Sequence, residues 1–125
     1  MSPLFGIRGA VQAAADTRAE IDRSARDLLT AMAARNGLDP DGVIAIWFTQ
    51  TPDLTAAHAA ASARALGWTG VPLLGAQEAP VADQMPRVVR ALMIAERSGE
   101  SPTARHVYLG ATRALREDLN DGDPE

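Results

Sequence analysis

The hydrophobic pattern changes period several times along the chain, and each change marks an element. Leu4-Phe-Gly-Ile-Arg8 is a short extended run that ends in an arginine, and Gly6 and Gly9 on either side of Arg8 let the backbone approach a neighbour closely. From Asp16 the spacing becomes helical. Thr17-Arg-Ala-Glu20 has the form of a capping box, Ile21, Ala25, Leu28, Leu29 and Met32 follow at three- and four-residue steps, and Asn36-Gly37 supplies a left-handed stop. This predicts one amphipathic helix of about five turns. Its polar face, with Asp22, Arg23, Arg26 and Asp27, reads as solvated surface paired between neighbouring turns.

Asp39-Pro-Asp-Gly42 is a turn, and Val43-Ile-Ala-Ile-Trp-Phe-Thr49 after it is an unbroken apolar run, which predicts a central strand covered on both faces. Gln50-Thr-Pro-Asp53 breaks that run. Leu54 to Leu66 is alanine-rich, carries His58 and Arg64, and closes on Gly67, so a short helix is expected. His58 has no partner at metal-ligand spacing and reads as a surface or packing residue. Val71-Pro-Leu-Leu74 predicts a second strand ending at Gly75. The run Arg87 to Ala95 is helix or strand by periodicity alone. As a strand it would put Val88, Arg90, Leu92 and Ile94 on one face and Val89, Ala91 and Met93 on the other. Ser98 to Pro102 reads as a loop, His106 to Leu109 as a further strand, and Ala111 to Leu115 as a helical turn after the break at Gly110.

Composition narrows the chemistry. With 125 residues, 46% of them hydrophobic, the chain suits one domain, taken as residues 1–119, followed by an acidic tail at 120–125. Cysteine is absent, which excludes disulfides and thiolate chemistry and matches a reducing compartment. No run approaches a membrane span and the start does not resemble a signal peptide, so a cytoplasmic protein is expected. A net charge of −4 without a basic face argues against nucleic-acid partners. All twelve basic residues are arginine, so any anion site must use planar, bidentate donors. Within that set, Glu78 and Arg90 stand among apolar neighbours where a charge is costly unless paired. No nucleophile elbow, phosphate loop or metal cluster competes, which leaves dianion binding and stabilisation of developing charge, with no cofactor and no metal.

Gly6-Ile-Arg-Gly-Ala10, Asp16-Thr17, Thr51-Pro-Asp-Leu54, Gly67-Trp68, Val71-Pro72, Gln77-Glu78, Arg90 and Arg105-His-Val-Tyr-Leu109 occur in an order and spacing that resemble the AroH class of chorismate mutases, from about Gly6 to Leu119. The resemblance implies an α+β fold: a mixed five-stranded sheet with helices packed on one side, three copies forming a pseudo α/β barrel with active sites between subunits. It also implies that Val88 to Ala95 is a strand, and that the reaction is the Claisen rearrangement of chorismate to prephenate.

Carried over by position, Arg90 would meet the ether oxygen and a carboxylate, and Glu78 would accept from the ring hydroxyl. Arg8 and Tyr108 would hold the side-chain carboxylate. Leu73, Leu74 and Leu115 would form apolar wall, with Arg64 and Arg116 adding positive potential at the mouth. Three positions depart from the family pattern, which has Cys at Gly75, Lys at Ala61 and an aromatic at His58. The alternatives are a non-catalytic trimeric dicarboxylate binder of the same fold and an imine deaminase of related architecture, which the context of Glu78 and Tyr108 fits poorly.

Overall fold

The run that periodicity could not assign becomes the antiparallel centre of the sheet. In the computed structural model, which describes residues 3–96 and 103–119, Val88–Glu96 is a strand (β4) lying between Leu4–Gln12 (β1) and Val43–Gln50 (β2). Leu73–Gln77 (β3) and Val107–Tyr108 (β5) complete the order β3-β2-β4-β1-β5. β4 is antiparallel to both neighbours, whereas β3 runs parallel to β2 and β5 parallel to β1.

Two successive connections, β1 to β2 and β2 to β3, join strands that run in the same direction, and each needs a crossover. Helix α1 (Arg18–Arg35) carries the chain from β1 past β4 to β2, and α2 (Ala59–Ala65) carries it from β2 to β3. The helices pack on each other and on the same face of the sheet. α1 begins at Thr17, whose hydroxyl oxygen accepts the Glu20 N–H at 3.2 Å, and it stops where Gly37 adopts φ 63°. Its buried stripe of Ile21, Ala25, Leu28, Leu29 and Met32 meets Ile7, Ile46, Phe48, Val89, Ala91 and Met93 from the sheet. Gly9 is required at this contact: a Cβ there would lie 2.6 Å from Met32 Sδ and 2.9 Å from Leu28 Cδ1. Gly6 carries no such demand, its nearest neighbour standing at an ordinary 3.6 Å.

Several expectations change. β1 continues to Gln12, so Arg8 sits in mid-strand and not at its end. β2 is not covered on both faces: Ile46 and Phe48 are buried, while Trp47 between them is 43% exposed. α2 spans only Ala59–Ala65 because Thr51 to His58 is held as a loop. Gln50 Nε2 donates to the carbonyls of Leu54 and Ala57, and Asp16 accepts the N–H groups of Thr55 and Ala56, taking backbone groups a longer helix would need. β3 starts at Leu73 and runs through Gly75 instead of ending there. The loop expected at 98–102 and the acidic tail at 120–125 lie outside the described residues. Among those that are described, no helix is long and apolar enough to cross a membrane.

Candidate active site

Strand alternation sorts the site from the core. Arg8 pairs with Leu92 across β1 and β4, Leu92 with Trp47, and Trp47 with Leu74, so these four share the face opposite α1 and α2, which among the described residues is bare except at the turn Gly110–Leu115. One step along, Tyr108, Ala10, Arg90, Thr49 and Ala76 form the next row of that face. The rows between point the other way, into the helix-covered core. On the bare face, Arg8, Trp47, Thr49, Arg90, Leu92, Tyr108 and Arg116 line a cleft of about 430 Å³.

Glu78 follows β3 directly, and its N–H donates to Gln50 O at 2.9 Å, extending the β2–β3 ladder by one bond. That register aims its side chain along the bare face. Glu78 Oε2 accepts Arg90 Nε at 3.0 Å and Thr49 Oγ1 at 2.6 Å. Arg90 is therefore paired through Nε alone, and among the described residues its two terminal nitrogens hold no hydrogen bond. The pair spans β2, with Thr49 between its members.

Tyr108 is buried with Ala10 and Val88 in a small second cluster, against which Leu115 packs. Thr112 Oγ1 donates to Ala10 O at 3.0 Å and holds the turn Gly110–Leu115 against β1. Beside it, Arg8 N donates to His106 Nδ1 at 3.0 Å, which places the imidazole proton on Nε2. Arg116 is the second cleft guanidinium with a carboxylate partner. Its Nε and Nη2 donate to Asp118 at 3.1 and 2.9 Å, and this bidentate bond pushes the Asp118 carboxyl below its ordinary range and the guanidinium above its own.

The residues assigned from sequence thus fall into two groups. Arg8, Glu78, Arg90, Tyr108, Leu115 and Arg116 gather at the cleft. Leu73, Leu74 and Gly75 lie on β3 at the sheet edge, with His58 beside them: a Cβ on Gly75 would come within 3.1 Å of His58 Nδ1. His58, at the N-cap of α2, lines a separate cavity of about 300 Å³ with Gln50, Leu54 and Gln77, and Ala61 and Arg64 are exposed on α2. Trp47, Thr49 and Leu92 were not assigned to the site from sequence. Their signal was available in the strand period, since each lies on the Arg90 face once β2, β4 and β1 are paired.

Arg87, three residues before Arg90, has a different task. It sits at φ 55°, its backbone N–H donating to Asp53 and its Nε to Ala13 O at 2.9 Å, and so anchors the start of β4.

A sheet with one helix-covered face and one bare face, the bare one gathering three guanidiniums, a phenol and a paired carboxylate, defines an α+β protein built to receive a small polyanion. Known proteins narrow the class. The family model described as chorismate mutase type I matches residues 4–119. Chorismate mutase AroH of Thermus thermophilus is 42% identical over 115 residues, 91% of this chain and 94% of that protein. The AroH chorismate mutase of Bacillus subtilis (strain 168) is 34% identical over 116 residues, covering 92% and 91% respectively. Among solved structures, the chorismate mutase from Clostridium thermocellum, Cth-682, superposes with a TM-score of 0.83 at 36% identity, over 89% of this chain and 99% of that one. The chain belongs to the chorismate mutase type I family.

Proposed function

We propose that this protein rearranges chorismate to prephenate in the arginine-lined cleft, with Arg90 as the group that stabilises the transition state. The rearrangement breaks an ether C–O bond and forms a C–C bond within one molecule, so no proton, electron or covalent intermediate has to be supplied. The protein contributes a folded reactive conformer and a donor placed where charge develops.

The observation that carries this reading is the manner in which Glu78 holds Arg90. Pairing through Nε fixes the plane of the guanidinium and leaves its terminal N–H groups for the ether oxygen, which becomes more negative as the bond lengthens. Glu78 Oε1 remains to accept the ring hydroxyl. Arg8 and Tyr108, across β1 and β5, hold the carboxylate of the enolpyruvyl side chain. Leu115 supplies apolar wall beside Tyr108, and Arg116 adds positive potential.

A second copy completes the cleft. The row Leu74, Trp47 and Leu92 is 61%, 43% and 40% exposed, an apolar strip running from the sheet edge to its central strand that favours burial by a partner. Residues expected near the substrate but set apart at β3 and α2, namely Leu73, Leu74, Gly75, His58, Ala61 and Arg64, reach the arginine set of a neighbouring copy in a closed trimer. In such a cleft the Gly75 backbone N–H takes the place of the missing side chain.

Loss of chorismate absorbance on adding purified protein tests the activity. A protein that leaves chorismate unchanged while binding dicarboxylates would replace the catalyst with a binder. Sedimentation tests the assembly: an active monomer would remove the need for a partner's wall.

A further inference from the structure

The carboxylate at the centre of the site has two donors, and only one is charged. Thr49 Oγ1 stands 2.6 Å from Glu78 Oε2, the same oxygen that accepts Arg90 Nε at 3.0 Å. Thr49 is the strand partner of Arg90 in the β2–β4 register, and Glu78 follows the end of β3 on the opposite side of β2. Glu78 and Arg90 are therefore held two strands apart, roughly 9 to 10 Å between strand axes, and each must lean across β2 to meet. What lies beneath them on β2 decides where they meet.

We infer that Thr49 is a positioning residue of this active site: its hydroxyl pins Glu78 Oε2 so that the carboxylate presents Nε of Arg90 with one fixed acceptor and keeps Oε1 for the ligand. This assignment rests on the reading of the cleft given above and deepens it. Three features support a role beyond packing. Thr49 is the one polar side chain that β2 presents to the cleft, the other being Trp47, and its hydroxyl is committed to Glu78. Its bond is to a carboxylate, the stronger class of side-chain hydrogen bond. Both donors converge on Oε2, so neither competes for Oε1. With Thr49 removed, Glu78 could rotate to take Arg90 with either oxygen, and the guanidinium plane would lose its reference.

The test uses Thr49→Val and Thr49→Ser in the full-length protein, read by chorismate consumption. Valine keeps the shape and the strand preference, so the fold survives and thermal melting checks it. Losing a hydrogen bond to a charged group predicts that Thr49→Val lowers kcat about tenfold or more. KM should change by less than about threefold, because the loss is of orientation and not of charge. Thr49→Ser, which restores the hydroxyl without the methyl, should return kcat to within about twofold. Because Thr49 acts through Glu78, adding Thr49→Val to Glu78→Gln should cost much less than adding it to the unaltered protein.

Normal kcat in Thr49→Val would overturn the assignment. So would a Thr49→Ser as impaired as the valine variant, since that would make the methyl group the relevant part, and so would costs that simply add in the double variant. An unaltered protein that does not consume chorismate would instead remove the functional reading beneath it, a distinct result visible before any variant is made.

Discussion

The two faces of the sheet are made by alternate residues of the same strands, yet they obey different rules. On the covered face, Ile7, Ile46, Phe48, Val89 and Met93 are no more than 2% exposed and share one buried cluster with the stripe of α1. On the bare face, one residue along in each case, stand Arg8, Trp47, Thr49, Arg90 and Leu92, lining a cleft. The covered face determines whether the chain folds, and the bare face determines what it does once folded. The division is sharp because a one-residue step along a strand reverses the side chain, so neither set can drift into the other's role without a change of register.

Substituting one residue from each face should separate the two properties. Arg90→Ala removes the donor expected at the ether oxygen, and loss of one such preorganised group costs about 10² to 10³ in kcat. Arg90 is partly exposed on the face opposite α1 and α2, so melting temperature should barely move. Arg90→Lys should recover little activity, since an ammonium keeps the charge but cannot offer Nε to Glu78 and a terminal N–H to the substrate together. A large loss of stability in Arg90→Ala would mean that this side chain belongs to the core and not to the chemistry.

Gly9→Ala probes the other face one residue from Arg8. The new Cβ would overlap Met32 and Leu28, so the helix must lift or Met32 must change rotamer, at a cost of about 1 to 3 kcal/mol in unfolding free energy. Activity per folded molecule should change far less than in Arg90→Ala. The two glycines on either side of Arg8 are thus unequal, since Gly6→Ala meets only ordinary contacts and should be close to neutral.

Much of this division was legible in the sequence. The alternation of Val88 to Ala95 gave the correct faces as soon as the segment was taken as a strand, and the capping residue and stop of α1 sit where their chemistry placed them. The run Val43 to Thr49 misled, for a physical reason. An apolar side chain on a face awaiting a partner is written with the same residue types as one inside a core, so Trp47 read as buried when it is nearly half exposed. Of the two arginines in the Gly75 to Arg90 stretch, the sequence singled out Arg90 by its apolar neighbours but gave Arg87 no task. The anchoring of Arg87 by Asp53 and Ala13 depends on backbone geometry at a positive φ, which spacing does not show. Spacing also could not reveal that His58, Ala61, Arg64 and the β3 residues lie apart from the arginine set, because distance across a sheet depends on strand order.

A smaller effect is expected at the rim of the bare face. Arg116 lines the cleft but is bound bidentately by Asp118, so part of its field is cancelled for an approaching dianion. Asp118→Asn removes one negative charge near the mouth and should raise kcat/KM about twofold at low ionic strength, with the gain fading as salt screens it. A gain that persists in molar salt would point to a local contact instead of long-range attraction.

The mildest expected change lies where the covered face is tied to the loop before α2. Asp16 accepts N–H bonds from Ala56 at 3.0 Å and Thr55 at 2.9 Å and a hydroxyl bond from Thr55 at 2.8 Å, and these donors, that of Ala56 foremost, hold its carboxyl below the ordinary aspartate range. A folded-state pKa that is depressed contributes stability that is complete above the unfolded value, near 4, and is lost as pH falls through the lower folded value. The window for Asp16 therefore lies below about pH 4, and between pH 5 and 8 this carboxylate should add no slope to stability. Because the group is at the surface, the effect on global unfolding should be slight and the local one larger. Amide exchange at Thr55 and Ala56 should accelerate on acidification, and Asp16→Asn should show that faster exchange already at neutral pH. Equal protection in the unaltered and Asn proteins at neutral pH would show that the loop is held by Gln50 alone, from the covered side, and that Asp16 contributes nothing to setting the edge beside His58.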